Sequence, residues 1–289
     1  MTDEVFVSGF SIVRNAVKMQ YPIEAALRSI APLCDEIVVN VGDSEDDTLD
    51  LVRGIGDPKI RVFESVWGDE REVTNRMHSV QTNLALDRCR GRWCFYIQAD
   101  EVLHEDDVPR VRAALERGAE DARVEALVFD YLHFYGSFEW IGTGRRWYRR
   151  EVRVIRRASG ARSVAGAQGF RIDGRKPRAA HSGARIFHYG WAKPPDAAVR
   201  KHLQWRRYRR EPDADPPPHP YARIPGLRRF EGTHPAVMRE WIERYGWPFD
   251  PRACPRDWSW KSLKAIVSDA VERATGWRPF EHRNYVLVG

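Results

Sequence analysis

The chain has 289 residues, of which 43% are hydrophobic and 30% are charged. This composition is typical of a folded globular protein with one substantial core, and it argues against a disordered chain. No uninterrupted apolar segment approaches the roughly 20 residues that a membrane-spanning helix needs. The acidic start, Met1-Thr2-Asp3-Glu4, lacks the pattern of a secretion signal, so we expect a cytoplasmic protein.

Charge is distributed unevenly between the two halves of the chain. Residues 1–144 contain 15 basic and 27 acidic residues, whereas residues 145–289 contain 32 basic and 14 acidic residues. This asymmetry suggests two kinds of partner, because carboxylates can hold a divalent cation and basic groups can hold phosphate or an anionic surface. A solvated basic face is the simpler alternative for the second half.

The four cysteines are Cys34, Cys89, Cys94 and Cys254, and no two of them have CxxC spacing. A zinc site or a disulfide framework is therefore not expected. Cys34 and Cys94 lie in apolar stretches, which indicates small core residues.

The first hundred residues alternate between strand and helix patterns. Short segments rich in β-branched and aromatic residues predict strands, and apolar positions at helical spacing predict the helices between them. This alternation favours an α/β fold with a mainly parallel, doubly wound sheet and helices on both faces. The predicted strands are 5–13, 36–41, 60–64 and 93–97, and the predicted helices are 22–34, 46–55 and 80–89.

The alternation weakens further along the chain. A helix over 106–117 and strands over 126–134, 151–157 and 184–189 complete the predicted catalytic domain, 1–195. Pro194-Pro195 marks the boundary. The remainder, 196–289, is expected to be a helical extension, with a proline-rich linker over 212–220 and helices at 196–211, 234–245 and 259–276.

The strongest local signal is a buried strand that leads directly into Asp100 and Glu101. Ligands bind outside the carboxyl ends of the strands in an open α/β sheet, so Asp100 can coordinate a divalent cation that bridges a diphosphate. The alternative is that Asp100 only caps the next helix.

Two other predicted strands end in polar residues that belong at the same edge. The second strand leads into Gly42-Asp43-Ser44, and Asp43 could accept hydrogen bonds from a base or a ribose. The first strand leads into Val13-Arg14-Asn15. A turn followed by a helix cap is the plainer explanation of Asp43.

The order of these segments resembles the family 2 glycosyltransferases with the glycosyltransferase-A fold. The matching segments are Arg14-Asn15, Gly42-Asp43-Ser44, 82–91 and Gln98-Ala99-Asp100-Glu101, within residues 5–105. The resemblance implies an enzyme that moves a sugar from a nucleoside-diphosphate sugar to an acceptor hydroxyl with Mn²⁺ or Mg²⁺. It also implies inversion at the anomeric carbon.

The resemblance further assigns roles to individual residues. Asp100 matches the second aspartate of the family's metal-binding motif, and Gln98 stands where the first aspartate usually is. His188, near the end of a predicted strand, matches a further metal ligand, and imidazole suits Mn²⁺. A lone histidine is more often structural. The donor nucleotide is expected to contact Val13, Arg14, Asn15, Asp43, Arg76, Asn83, Gln98 and Ala99, with Gln81 as a further candidate.

An inverting transfer needs a base near the acceptor hydroxyl. The loop 164–170, where the family often places a carboxylate, contains none. Glu139 is the favoured catalytic candidate because its loop is rich in glycine and aromatic residues, and Glu151 and Asp130 are alternatives. Each of these acids could equally be an ordinary salt-bridge partner.

Basic residues in the second half suggest further contacts. An arginine cluster could stabilise the leaving diphosphate, or it could be a solvated edge. The basic helix 199–210 could rest on an anionic membrane at the inner face, where lipid-linked acceptors lie, or pack on the catalytic domain or a second subunit of a homodimer. The arginines of the cluster are Arg145, Arg146, Arg149 and Arg150.

Two other functions remain open at this stage. A sugar nucleotidyltransferase would use a similar sheet, but it usually has a glycine-rich loop after the first strand, where this chain has Ser11-Ile12-Val13-Arg14-Asn15. A nucleic-acid-binding protein would suit the basic half, although no binding motif is present and we expect no nucleic acid partner. The expected partners are a UDP-, dTDP- or GDP-linked sugar and a glycan, lipid-linked or small-molecule acceptor.

Overall fold

The computed structural model describes residues 5–68, 76–208, 219–278 and 281–288. Within these ranges the chain forms thirteen strands and seven α-helices. The helices are α1 (Ile23–Ile30), α2 (Thr48–Arg53), α3 (Met77–Leu86), α4 (Val108–Glu120), α5 (Pro195–Tyr208), α6 (Arg239–Tyr245) and α7 (Trp260–Thr275). The strands are β1 (Val7–Val13), β2 (Glu36–Gly42), β3 (Ile60–Ser65), β4 (Trp93–Tyr96), β5 (Glu101–Leu103), β6 (Ala126–Tyr135), β7 (Trp140–Gly142), β8 (Arg150–Arg156), β9 (Arg162–Val164), β10 (Gly169–Arg171), β11 (Arg178–Trp191), β12 (Leu227–Arg229) and β13 (Val286–Leu287).

The main sheet has a largely parallel centre. Its strands follow the order β3-β2-β1-β4-β8-β6, and β3, β2, β1 and β4 are parallel to one another. β8 is antiparallel to both of its neighbours, and β11 then runs parallel to β6. β1, β2, β4, β6 and β11 therefore point their carboxyl ends toward the same edge of the sheet, which is where a ligand is expected.

Helices cover both faces of this sheet, as predicted. On one face Ile23, Leu27 and Val111 pack against alternate residues of β1, β2 and β4. On the other face Met77 and Leu86 of α3 pack on the residues that point the opposite way. Because both faces are buried, the central strands are mostly apolar and do not alternate between apolar and polar residues.

The predicted elements of the first half are confirmed, with boundaries that shift by a few residues. The largest change concerns β11, which spans Arg178–Trp191 instead of 184–189. His188 therefore lies inside that strand, opposite Glu101 of β5 and His133 of β6. The predicted linker 212–220 falls mostly on 209–218, outside the described residues. Cys34, Cys89 and Cys94 are buried free thiols.

The C-terminal part is mainly helical, but two of its short strands join the main sheet. β12 pairs with β7, and β13 pairs with β11. α5 packs on the catalytic part, since Ala197, Ala198 and Lys201 are buried. The division into domains at residue 195 stays a prediction. In the ranges that the structure describes, no helix is both long and apolar enough to cross a membrane.

Candidate active site

A cavity of about 520 Å³ opens at the carboxyl edge of the sheet. Its walls come from the ends of β1 and β4, from the loop between β9 and β10, from β11 and from α5. Clefts of this size commonly hold small ligands, and they occur at this edge in α/β proteins. The lining residues are Ile12, Val13, Arg14, Tyr21, Trp67, His78, Tyr96, Gln98, Ala99, Asp100, Tyr148, Ala165, Gly166, Ala167, Gln168, His188, Trp191, Lys201, Gln204 and Trp205.

Asp100 is the one carboxylate among the described residues that line this cavity. Its Oδ2 accepts a hydrogen bond of 3.0 Å from the Lys201 ammonium, which also donates to the carbonyl of Gly190 at 2.8 Å. Burial raises the pKa of Asp100, but the charge of Lys201 and its hydrogen bond outweigh this effect and hold the pKa below its usual range. Asp100 is therefore an anion at neutral pH.

His188 presents its Nε2 to the same carboxylate, 3.8 Å from Asp100 Oδ2. Behind it, His133 donates from Nε2 to the carbonyl of Tyr148 at 2.8 Å. Burial lowers the pKa of both histidines, so both rings are neutral near pH 7. The Nδ1 of His133 must then accept the 3.1 Å hydrogen bond from Nδ1 of His188. This arrangement leaves a lone pair on His188 Nε2, facing the cavity side of Asp100.

Gly190 lies close to the side chains of both Asp100 and His188. A Cβ added there would lie 2.6 Å from Asp100 Oδ2 and 2.8 Å from His188 Nε2. No real side chain tolerates such contacts, so glycine lets the oxygen and the nitrogen converge. Two such donor atoms match the ligand preference of a divalent cation such as Mn²⁺. The residues present therefore fit the ion, as two ligands that leave its other positions to substrate and water.

Glu101, the second acid of the pair, faces the interior. Arg153 binds both of its oxygens, at 2.8 and 2.7 Å, and Tyr131 donates to it at 2.8 Å. Both charged side chains are completely buried. Arg153 also donates to the carbonyl of Gln168, so the pair links the end of β4 to the loop that walls the cavity.

Arg14 and Asp43 lie side by side where β1 and β2 end. Arg14 Nε donates to the Asp43 carbonyl at 3.1 Å, and its guanidinium is nearly buried while the Asp43 side chain is 40% exposed. Asp43 Oδ1 accepts from the backbone of Trp67 at 2.9 Å. Arg14 lines the cavity, whereas Asp43 stands beside its lining with one oxygen used by the turn.

Val13, Gln98 and Ala99 also line the cavity. Gln98 donates to the carbonyl of Ala167 at 3.2 Å. Ala165 and Ala167 have φ angles of 51° and 58°, which non-glycine residues rarely adopt. Such strain is common at ligand-binding loops, and here the backbone of 165–168 forms one wall of the site.

Several residues that were expected to contact the donor nucleotide form hydrogen bonds within the protein instead. Asn15 has a φ of 54° and accepts from the backbone of Glu45, which fixes the loop after β1. Asn83 exchanges two hydrogen bonds with the backbone of Ser163, and Gln81 accepts from Asn40. None of these three lines the cavity.

Arg76 is the exposed residue immediately before α3 and is not among the cavity-lining residues. It directly follows a range outside the described residues.

The structure does not bring Glu139 to the cavity. Its side chain is 64% exposed and pairs with Arg229 on β12. Glu151 is buried and accepts from Asn284, and Asp130 pairs with Arg150. Glu139 and Asp130 are therefore salt-bridge partners, whereas Glu151 is buried and hydrogen-bonded to an amide, and none of the three lines the cavity. Glu139 is therefore not carried into the proposed site.

The arginine cluster also finds other partners. Arg146 pairs with Asp257, and Arg149 pairs with Glu272 of α7 and with Glu281. These ion pairs hold the C-terminal part on the N-terminal part, and none of the four arginines lines the cavity.

Sequence reasoning missed the contribution of α5. Its buried residues are Ala197, Ala198, Lys201 and Gln204. Their spacing places them on one face of the helix. One lysine on a helix face of small residues was the available signal. Trp205, on the next turn, stacks on His78 with ring centroids 6.3 Å apart. α5 thus forms one wall of the cavity.

Comparisons with known proteins place this geometry in context. Residues 20–153 match the family model described as Glycosyl transferase family 2. S. aureus TarS 1–349 in complex with UDP aligns over 45% of this chain and 37% of its own, with 19% identity and a TM-score of 0.35. The same protein with UDP-GlcNAc gives 45% and 36% coverage, 20% identity and a TM-score of 0.34.

A third solved structure is glucosyl-3-phosphoglycerate synthase from Mycobacterium tuberculosis in complex with Mn²⁺, UDP and glucosyl-3-phosphoglycerate. It aligns over 46% of this chain and 45% of its own, with 22% identity and a TM-score of 0.32. The aligned part of this chain thus spans less than half of each of these solved chains. No curated protein matches the sequence significantly.

Proposed function

Because residues 20–153 match the family model described as Glycosyl transferase family 2, we propose that this chain transfers a sugar from a nucleoside-diphosphate sugar to an acceptor hydroxyl. The observation that carries the proposal is the cavity at the carboxyl edge of β1 and β4, where Asp100, His188 and Lys201 meet. A carboxylate, a neutral imidazole and an ammonium in one cleft suit a ligand that combines diphosphate with a cation.

The donor nucleoside is proposed to lie near Arg14 and Asp43, next to the aromatic wall of Trp67 and Trp205. Aromatic rings provide stacking surfaces for a base or a sugar. Backbone groups of Gln98, Ala99 and the 165–168 loop provide further hydrogen-bonding partners along the same wall. Val13 and Arg14 close the end of the cleft at β1.

A divalent cation, Mn²⁺ or Mg²⁺, is proposed to be held by Asp100 Oδ2 and His188 Nε2. When bound, such an ion stabilises negative charge on the leaving diphosphate. The hydrogen bond from His188 to His133 orients the imidazole, as partners behind metal ligands commonly do. Among the described residues, no group of three or more histidines, cysteines or acids could hold a metal ion, so the donor itself would complete the coordination.

The proposed reaction is a single displacement at the anomeric carbon. The acceptor oxygen forms the new bond as the bond to the diphosphate oxygen breaks, and the configuration inverts. The hydroxyl proton passes to water on the acceptor side, because Asp100, the one carboxylate among the described lining residues, is assigned to the cation. Lys201 is placed to donate hydrogen bonds to the diphosphate as its charge grows, because its ammonium lines the cavity. Trp191, Tyr148 and the helix α5 exclude water from this side, which favours transfer over hydrolysis.

The membrane contact expected for the basic helix 199–210 is not proposed for that helix, because Ala197, Ala198 and Lys201 of α5 are buried. Such a contact is proposed instead for α7 and the residues beside it. Trp258, Trp260, Val267 and Trp277 are each more than 60% exposed, and Lys264 lies near the Trp260 ring. Exposed tryptophans beside basic groups are typical of surfaces that lie on anionic bilayers. Sedimentation with phosphatidylglycerol vesicles, but not with phosphatidylcholine vesicles, would support this contact. A concentration-dependent dimer lost in a Trp260→Ser variant would instead assign the face to a second copy.

A thermal-shift panel tests the proposed function. The protein is heated with UDP, dTDP, GDP and the matching monophosphates, each with Mn²⁺ and with a chelator. Binding to the folded state raises the melting temperature, and the diphosphates should raise it more than the monophosphates. Asp43→Ala should reduce the shift if the nucleoside lies beside it. Equal melting temperatures with every nucleotide would overturn the proposal.

A further inference from the structure

Lys201 occupies a position that conflicts with a cation at the same carboxylate. Its ammonium is 3.0 Å from Asp100 Oδ2, and that same oxygen is the one nearest to His188 Nε2. The Lys201 side chain is only 5% exposed and that of Asp100 only 12%, so solvent screens these charges poorly. A divalent cation at Oδ2 would face a positive charge at close range.

We propose that Lys201 competes with the divalent cation for Asp100 Oδ2 and gives way when the donor diphosphate arrives. This inference rests on the proposed function. In the empty site Lys201 neutralises Asp100, and in the loaded site its ammonium turns to the diphosphate and leaves the oxygen to the cation. The lysine thereby makes cation binding depend on the presence of the donor.

The surroundings of Lys201 permit this exchange. Among the described residues it donates to two acceptors, Asp100 and the carbonyl of Gly190, and the second contact can anchor the ammonium while the first is released. The ring faces of Tyr21 and Trp191 lie 5.3 and 5.1 Å from Nζ and can stabilise the cation in either position. The flexible lysine stem allows such a movement without any change in α5.

Lys193 serves a different purpose and does not take part. It is buried two residues before the start of α5, and it donates to the backbone carbonyls of Met19 and Gln20. The exchange is therefore assigned to Lys201 alone, the lysine that contacts Asp100.

The test measures two affinities that should move in opposite directions. Mn²⁺ binding to nucleotide-free protein is followed by electron paramagnetic resonance, and binding of UDP, dTDP and GDP in chelator is followed by calorimetry. Lys201→Gln removes the charge but keeps a hydrogen-bond donor, and Lys201→Met removes both. Both variants should bind Mn²⁺ about tenfold more tightly than the wild type, and should bind the preferred diphosphate about tenfold more weakly.

Controls separate this exchange from a structural role. Lys201→Arg keeps the charge and should retain the weak Mn²⁺ binding of the wild type. Lys264→Gln, on the exposed face of α7, should change neither affinity. If Lys201 had a purely structural role, replacing it would weaken the binding of both Mn²⁺ and the diphosphate. That result would overturn the proposal.

Unchanged or weaker Mn²⁺ binding in both neutral variants would also overturn it. Diphosphate binding by the wild type decides the proposed function independently of these results.

Discussion

The carboxylate of Asp100 and the imidazole of His188 converge from different strands, with Oδ2 and Nε2 separated by 3.8 Å. Asp100 lies between β4 and β5, and His188 lies within β11, which pairs with β5 so that His188 is opposite Glu101. Their approach depends on Gly190 and on the hydrogen bond from His188 to His133. Two ligand atoms at this separation can share one ion at the usual distances of roughly 2.0–2.6 Å.

Removing the imidazole should weaken cation binding without destabilising the fold. His188→Ala is expected to raise the Mn²⁺ concentration for half-maximal activity by about tenfold or more, because one ligand of two is lost. The measurement is the initial rate of transfer against Mn²⁺ concentration. His181→Ala is the matched control, since His181 lies on the same strand but pairs with Asp130 outside the cavity. The same rise in both variants would contradict a ligand role for His188.

A methyl group at Gly190 should block the site. In Gly190→Ala the new Cβ would press on Asp100 Oδ2 and His188 Nε2, so the two side chains must move apart. We expect loss of Mn²⁺-dependent diphosphate binding in calorimetry, with circular dichroism unchanged. Gly166→Ala is the control, because Gly166 also lines the cavity but a Cβ there would meet nothing within 4 Å. Normal binding by Gly190→Ala would show that the convergence is not needed.

Breaking the buried ion pair between Arg153 and Glu101 should destabilise the protein. Arg153→Met leaves Glu101 buried without its cation, and this should lower the free energy of unfolding by about 3–5 kcal/mol in urea denaturation. The double variant Arg153→Met/Glu101→Leu removes both charges and should recover part of that loss. If the double variant is as unstable as the sum of the single variants, the two charges do not depend on each other.

Glu36, at the amino-terminal end of β2, predicts a pH dependence of stability. Burial raises the pKa of Glu36, but hydrogen bonds from Arg90, Ser8 and Arg61 outweigh it and hold the pKa at about 2. A lowered pKa in the folded state stabilises the protein above the unfolded pKa, and this contribution is lost as the pH falls toward 2.

Between pH 7 and pH 3, Glu36→Gln should therefore lose about 2 kcal/mol less unfolding free energy than the wild type. Urea denaturation at both pH values measures this difference. Glu24→Gln is the control, because Glu24 is half-exposed on α1. Parallel losses in all three proteins would place the acid sensitivity elsewhere.

The sheet and its ligand edge follow from the sequence because the central strands are short, apolar and bounded by turns. Such runs allow few arrangements other than buried parallel strands, and their carboxyl ends then fix where Val13, Arg14 and Asp100 lie. His188 could be placed at this edge only with the family resemblance, since a lone histidine has many structural uses.

The remaining site residues could not be read from local patterns. Asn83 and Gln81 lie on α3, and its rotation about its axis turns them to β9 and β2 instead of to the cavity. Lys201 comes from a helix beyond the matched segment, and its approach to Asp100 depends on tertiary packing. The composition of its loop favours Glu139 as a catalytic residue, but composition does not encode the direction in which a loop points.

The account depends most directly on Asp100. Release of nucleoside diphosphate from UDP-, dTDP- and GDP-linked sugars, in the presence of Mn²⁺ and a mixed acceptor pool, should occur with at least one donor. In Asp100→Asn the rate should fall by about a hundredfold or more, because the shape of the side chain remains while its charge is lost. Asp50→Asn, on the exposed surface of α2, should retain the wild-type rate. No release by the wild type from any donor, or an equal rate in Asp100→Asn, would contradict the central claim.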